Sequence, residues 1–242
     1  AAILAHGGFI GPRSVYEGQF GFFASHLAGA AKGYDLAQAT DGLGREWRLL
    51  DMAVKPFPAC QMNIAPIDAA IALSKKHQLK AEDIQQINVL VPEQDVNIVC
   101  EPIAKKRRPV NSYAAQFSIP YAVACATIKH AFGLVELELY RDPEILALAD
   151  KVGYSIDPDS VYPNQSGEVV VTMKNGEVWS QREQIPRGAP ERPLGSRDII
   201  EKFRANAQLA VSSATIGQVQ EAVLDMDRHN AVRLSRLLAC ES

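Results

Sequence analysis

Residues 167–195 read GEVVVTMKNGEVWSQREQIPRGAPERPLG, and the architecture turns on the change of character within them. Two β-rich arms flank Asn175-Gly176, the pair that suits a two-residue hairpin turn with positive φ. A stretch rich in proline and glycine, 185–195, then closes the β character and acts as a linker. Beyond it the pattern is purely helical. Ser196 is placed to cap a helix with Ile199, Phe203 and Ala207 on one face; Ile216, Val219, Val223 and Met226 mark a second helix, and Ala231, Leu234 and Leu238 a third.

Working upstream from the hairpin, the mixture of α and β persists to about Lys80. Ile87, Val89 and Val91 alternate with their neighbours in a strand ending at Pro92. Phe117, Tyr121, Ala124 and Ile128 form the stripe of a packed helix, and in DPEILALADKV, 142–152, Asp142 sits at the N-cap and Pro143 at the first helical position. Before Lys80 the chain is helical again. Ile3 and Leu4 precede the helix-ending Gly7, Gly8, Gly11 and Pro12; Val15 to Leu27 is aromatic-rich, with Phe20, Phe22 and Phe23 read as core; 47–54 reads as a short strand or extended run. Ile64, Ile67 and Ile71 then give an amphipathic helix over 63–77 with one buried face. Helical, then α/β, then helical again implies an α+β fold in which an α/β lid domain, 80–185, is inserted into an all-helical domain, 1–79 and 186–242. The flanking parts would pack together, leaving an interlobe cleft as the favoured ligand site.

The bulk composition narrows the function. A chain of 242 residues at 47% hydrophobic content can bury a real core, and a formal net charge of −3 argues against nucleic acid or an anionic membrane as partner. The one basic run, Lys105-Lys106-Arg107-Arg108, is read as a solvated loop. Four cysteines, Cys60, Cys100, Cys125 and Cys240, include no CxxC pair, which suits a reducing cytoplasm and does not match iron–sulfur spacing. The five histidines, His6, His26, His77, His130 and His229, lack metal-ligand spacing such as HExxH and read mostly as surface or satisfied side chains. The opening AAILAHGGFIGP reads as the last turns of a helix, so residues before Ala1 are expected in the gene product.

Five stretches in order, GGFIGPRSVYEGQFGFF (7–23), KPFPAC (55–60) followed by an apolar helix with IDAA, NSYAAQFSIPYAVACA (111–126), YRDPEILALADKV (140–152) and PRGAPERPLGSRDIIEKF (186–203), resemble the 2-methylcitrate dehydratase family, also called MmgE/PrpD. The resemblance covers nearly the whole chain and implies a helical domain with an inserted α/β lid, commonly dimeric. It also implies cofactor- and metal-independent chemistry on small polycarboxylates: dehydration of 2-methylcitrate, decarboxylation of cis-aconitate or epimerisation of iminodisuccinate. Each handles a proton next to a carboxylate, so the site requires a positioned acid or base and fixed positive charge.

Read from the residues alone, Lys55 is either an exposed lysine at a strand end or an ammonium whose flanking prolines, Pro56 and Pro58, reduce the freedom it loses on gripping a carboxylate. Tyr121 is either a packed core tyrosine or, in the first turn of a helix, a donor to substrate or a proton-transfer group, which requires it to face the cleft. The resemblance implies the functional reading for both, as catalytic and substrate-binding residues, and implies that Cys60 lines the site; a buried structural thiol is the alternative there. Gln61, Met62, Asn63 and Ile64 depart from the family, where arginine or histidine is common. The family's principal acid and base groups, in DDTH-like and HPG-like stretches, lie in a segment preceding this one. The expectation is therefore part of a polycarboxylate lyase or isomerase, completed by upstream residues or a separate chain. The alternatives are a non-catalytic polycarboxylate-binding or regulatory subunit, and one half of a split enzyme.

Overall fold

The computed structural model describes residues 1–27, 38, 40–160, 165–228 and 231–239. Their contacts divide the chain into two compact units, Ala1–Leu50 and Asp51–Ser242.

Among its described residues the first unit holds two short α-helices, α1 (Ala2–His6) and α2 (Phe22–His26), neither with a buried residue. The aromatic segment is not core: Phe20 is 89% and Phe22 49% exposed, and Phe23 is half-buried. Among the described residues the rings pack on each other. Phe22 lies edge-on to Phe23 at 5.7 Å and stacks on His26 at 4.2 Å.

The second unit opens with a 3₁₀ turn, Arg48–Asp51 crossing into it, where the sequence suggested a strand; extended chain follows. Helix α3 (Ile64–His77) is buried beyond a single face, because Ala65, Pro66, Ala69 and Ala70 are enclosed along with Ile64 and Ile67. Strand β1 (Ile84–Val91) follows, then three helices: α4 (Ile103–Arg107), α5 (Ser112–Ala115) and α6 (Ile119–Lys129). Helices α7 (Leu134–Leu137) and α8 (Pro143–Ala149) lead to β2 (Val152–Ile156), and the hairpin is β3 (Gly167–Met173) with β4 (Val178–Glu183).

The sheet order is β2-β1-β3-β4, with β1 and β2 parallel and the other pairs antiparallel. Helices α3 and α6 pack on each other; α3 lies against β3 and β4, and α6 against α8 and β2. Thus α3, expected with the first helical segment, shares the core of the sheet. Ile84 and Ile87 are both buried although three residues apart, because a register shift between Ile84 and Gln86 breaks the two-residue alternation. Strand β2 was hidden in the sequence, where Val152 reads as the end of the preceding helix. Helix α8 stops at Ala149, and three residues later, at Val152, the chain is already paired to Ile87.

The hairpin turn differs from the expected one. Met173 O accepts from Gly176 N at 3.0 Å and Met173 N donates to Glu177 O at 2.8 Å, so the loop has three residues, with Gly176 at φ 89° in the left-handed position. The basic run is not a solvated loop either. Lys106 donates to Ile98 O and Phe117 O, Arg107 to Val152 O at 2.8 Å, and Arg108 pairs with Asp150, so the cations tie α4 to its neighbours.

Helices α9 (Ser196–Ala207), α10 (Ser213–Leu224) and α11 (Ala231–Leu238) complete the chain. Gly195, rather than Ser196, precedes α9, and its N–H is taken by the Asp198 carboxylate at 3.1 Å. On α10, Ile216, Val219 and Ala222 are buried while Val223 is exposed, and Met226 lies exposed in a following 3₁₀ turn; Ile199 of α9 and Leu238 of α11 are exposed as well. His229 and Cys240 lie outside the described residues, and Cys60, Cys100 and Cys125 are free thiols. No helix among the described residues is long and apolar enough to cross a membrane.

Candidate functional site

The segment that carries Lys55 meets the linker after β4 through backbone contact: Val54 N donates to Gly188 O at 2.8 Å. Gly188 has φ 90°, and a Cβ there would lie 1.9 Å from Val54 O, so only glycine allows this approach. The contact brings Pro56, Phe57 and Pro58 beside Arg187. Together with α3, the segment 130–136 that runs into α7, and α9, they wall a cavity of about 680 Å³.

Arg187 organises that wall. Its Nε lies 3.2 and 3.3 Å from the two Asp68 oxygens, its Nη1 donates to Asp198 at 3.3 Å, and its guanidinium lies over the Phe57 ring at 5.3 Å from the centroid. Asp198 uses its other oxygen to cap α9. Burial pushes the Asp68 carboxyl above the usual carboxylate range, and the Arg187 charge opposes that shift. One cation therefore holds α3, the linker and α9 to one another.

Lys55 is anchored at both ends. Its ammonium donates to Ala59 O at 3.0 Å, closing the loop across both prolines, and its carbonyl accepts from Lys202 Nζ at 2.5 Å. The residue is exposed; its neighbours Pro56 to Pro58 and its partner Lys202 line the cavity, and Lys55 itself does not. Cys60 is half-buried, its N–H bonded to Gln116 O at 2.8 Å, and it too lies outside the cavity wall.

Tyr121 faces the core, not a cleft. It is fully buried, its hydroxyl donates to Glu136 O at 2.7 Å, and its ring meets Phe132 edge-on at 6.2 Å. Burial raises its phenol well beyond the ordinary value. Its amide is taken by the Ser118 hydroxyl at 3.1 Å, so the helix start offers no free N–H there. Glu136 and Phe132 both line the cavity, which places Tyr121 immediately behind the wall. The structure thus sets Lys55 and Tyr121 one residue away from a common cavity and leaves Cys60 apart from it.

Sequence reading missed Arg187, Asp68, Lys202 and His130 as wall residues. The first three stand in the PRG, IDAA and EKF stretches, but within a linker and two helices their charges carry no periodic signal. Among the described residues no group of three or more His, Cys, Asp or Glu side chains could hold a metal ion.

Residues 57–227 match the family model MmgE/PrpD C-terminal domain. Along 98% of its length the chain is 25% identical to a cis-aconitate decarboxylase of Aspergillus terreus, of which the matched part is 51%. It is 28% identical to the Homo sapiens cis-aconitate decarboxylase over 94% of the chain and 47% of that protein, and 28% identical to the Mus musculus enzyme over 78% and 39%. The chain thus spans about half the length of these relatives.

Proposed function

The chain belongs to the MmgE/PrpD family, and from that premise we propose that it forms part of a cofactor-independent lyase or isomerase acting on a small polycarboxylate by proton chemistry next to a carboxylate. The observation that carries this reading is the similarity to cis-aconitate decarboxylases along nearly the whole chain. It favours decarboxylation of a tricarboxylate over dehydration of 2-methylcitrate or epimerisation.

The geometry supports it through the proline-framed loop at the cavity. The Lys55 ammonium needs only to exchange its bond to Ala59 O for a substrate carboxylate, and the short loop limits the entropy lost in doing so. In this reading Tyr121 acts from behind, fixing the Glu136 segment of the wall, and the Cys60 thiol helps to shape the loop that follows Lys55. The family's aspartate- and histidine-bearing half, from upstream residues or a separate chain, completes a cytoplasmic homodimer.

The test is turnover of cis-aconitate, citrate and 2-methylcitrate by the full-length protein. Lys55→Ala should lower the rate on the accepted acid at least about tenfold, the loss of one charge-assisted contact of ~1.5 kcal/mol. An unchanged rate removes Lys55 from the mechanism, and no turnover of any polycarboxylate, with no solvent deuterium entering carbon, overturns the proposal.

A further inference from the structure

His130 stands at the end of α6 in the left-handed conformation, φ 55°, and lines the cavity. Its Nε2 lies 3.0 Å from the Ser74 hydroxyl, and that hydroxyl lies 2.7 Å from Thr127 O. A carbonyl oxygen at that distance accepts, so the single hydroxyl proton of the fully buried Ser74 is spent on Thr127. The Ser74 oxygen can then only accept from His130, which fixes the imidazole proton on Nε2. The other ring nitrogen, Nδ1, has no partner among the described residues and belongs to a residue exposed at the cavity.

The remaining charged groups of the wall are mostly committed. Arg187 is tied to Asp68 and Asp198, Glu136 accepts from Gly133 N, Glu201 pairs with Arg197, and Lys202 donates to Lys55 O. Lys75, exposed on α3 next to Ser74, has no ion pair among the described residues. His130 and Lys75 are thus the wall groups left to meet a ligand.

We propose that His130 is a proton-linked carboxylate contact of this cavity: an anionic ligand draws a proton onto Nδ1, which donates to the carboxylate while Nε2–H stays on Ser74, with Lys75 supplying the second charge. The inference rests on the reading that the cavity takes a small polycarboxylate. Only the proton on Nδ1 changes, so where the free imidazole is neutral each ligand bound takes up one proton from water, and no other bond is made or broken.

Calorimetric titration of the full-length protein with cis-aconitate and citrate, between about pH 6 and 8, tests it, alongside ¹⁵N spectra of the imidazole. In the wild type, affinity should fall as pH rises across this range, by up to about tenfold per pH unit, and the Nδ1 signal should shift on binding. His130→Asn, which tolerates the left-handed backbone but does not titrate, should bind at least about fivefold more weakly at the lower pH and lose the slope. Ser74→Ala should yield a mixture of ring tautomers without ligand. Binding by the wild type that is equally strong and equally pH-dependent in His130→Asn overturns the role of His130 and leaves the polycarboxylate reading intact. Absence of binding by the wild type overturns both.

Discussion

Asp95 offers a test of the core that does not depend on activity. It sits in the turn after β1, 2% exposed, with Oδ1 buried and without a hydrogen-bond partner, and burial pushes its carboxyl from 3.8 up to about 6. Nearby, Cys100 is pushed up to about 12, first by burial and then by the Asp95 charge. Because the folded-state value lies above the unfolded one, the folded protein holds this proton more tightly. Stability is therefore lost as pH rises between about 4 and 6, and the full cost is present at pH 7. At ~1.4 kcal/mol for each tenfold in proton affinity, the ionised carboxylate costs the fold about 3 kcal/mol.

Asp95→Asn keeps the shape and removes the charge. Urea unfolding at about pH 7.5 should show the variant more stable by up to ~3 kcal/mol, with part of the gain withheld because the amide is itself a buried polar group. Repeated at about pH 4, the advantage should shrink towards zero, since the wild-type carboxyl is then protonated in the fold. A variant no more stable at the higher pH, or a gain that does not change with pH, refutes the argument.

Three further outcomes follow from contacts in the second unit. Arg187→Met should destabilise the protein by about 2–3 kcal/mol at neutral pH, because Asp68 is left buried without its counter-charge; the deficit, read by urea denaturation, should narrow as pH falls and should be partly recovered by adding Asp68→Asn. Tyr121→Phe should cost about 1–3 kcal/mol by the same measurement, since the Glu136 carbonyl loses its donor. Gly188→Ala should cost about 3 kcal/mol or more in chemical denaturation, because its Cβ would overlap the Val54 carbonyl and the backbone would hold a strained positive φ.

The legible parts of this fold are those decided by neighbours in the chain. The alternation in β1, the Asp142-Pro143 start of α8 and the two arms around Asn175-Gly176 all reappear as read. What escaped depends on partners far along the sequence. Strand β2 is a strand because Ile87 is there to pair with Val152, and its five residues carry no signal strong enough to oppose the helical run before them. Lys106 and Arg107 look like a solvated run until Phe117, in the turn before α6, and Val152 of β2 supply carbonyls for them. The site divides in the same way: Lys55 and its prolines announce a rigid cation, whereas the orientation of Tyr121 is set by Glu136 and Phe132, which the helical stripe does not specify.

The same distinction explains how the cavity is held. Its walls come from 56–58, from α3, from the segment 130–136 that runs into α7 and from α9, and adjacent residues in the chain do not fix those pieces to one another. Two devices do so. The Val54–Gly188 hydrogen bond joins the Lys55 loop to the linker, at a position where any side chain would keep the two segments apart. Arg187, the residue before that glycine, then spends its guanidinium on α3 and α9 together. Two carboxylates share this one cation, so the cluster keeps a single negative charge, spread over Asp68 and Asp198 and held against Arg187. In the polycarboxylate reading proposed above, the anion is therefore met away from that cluster, at the side where Lys75 and His130 stand.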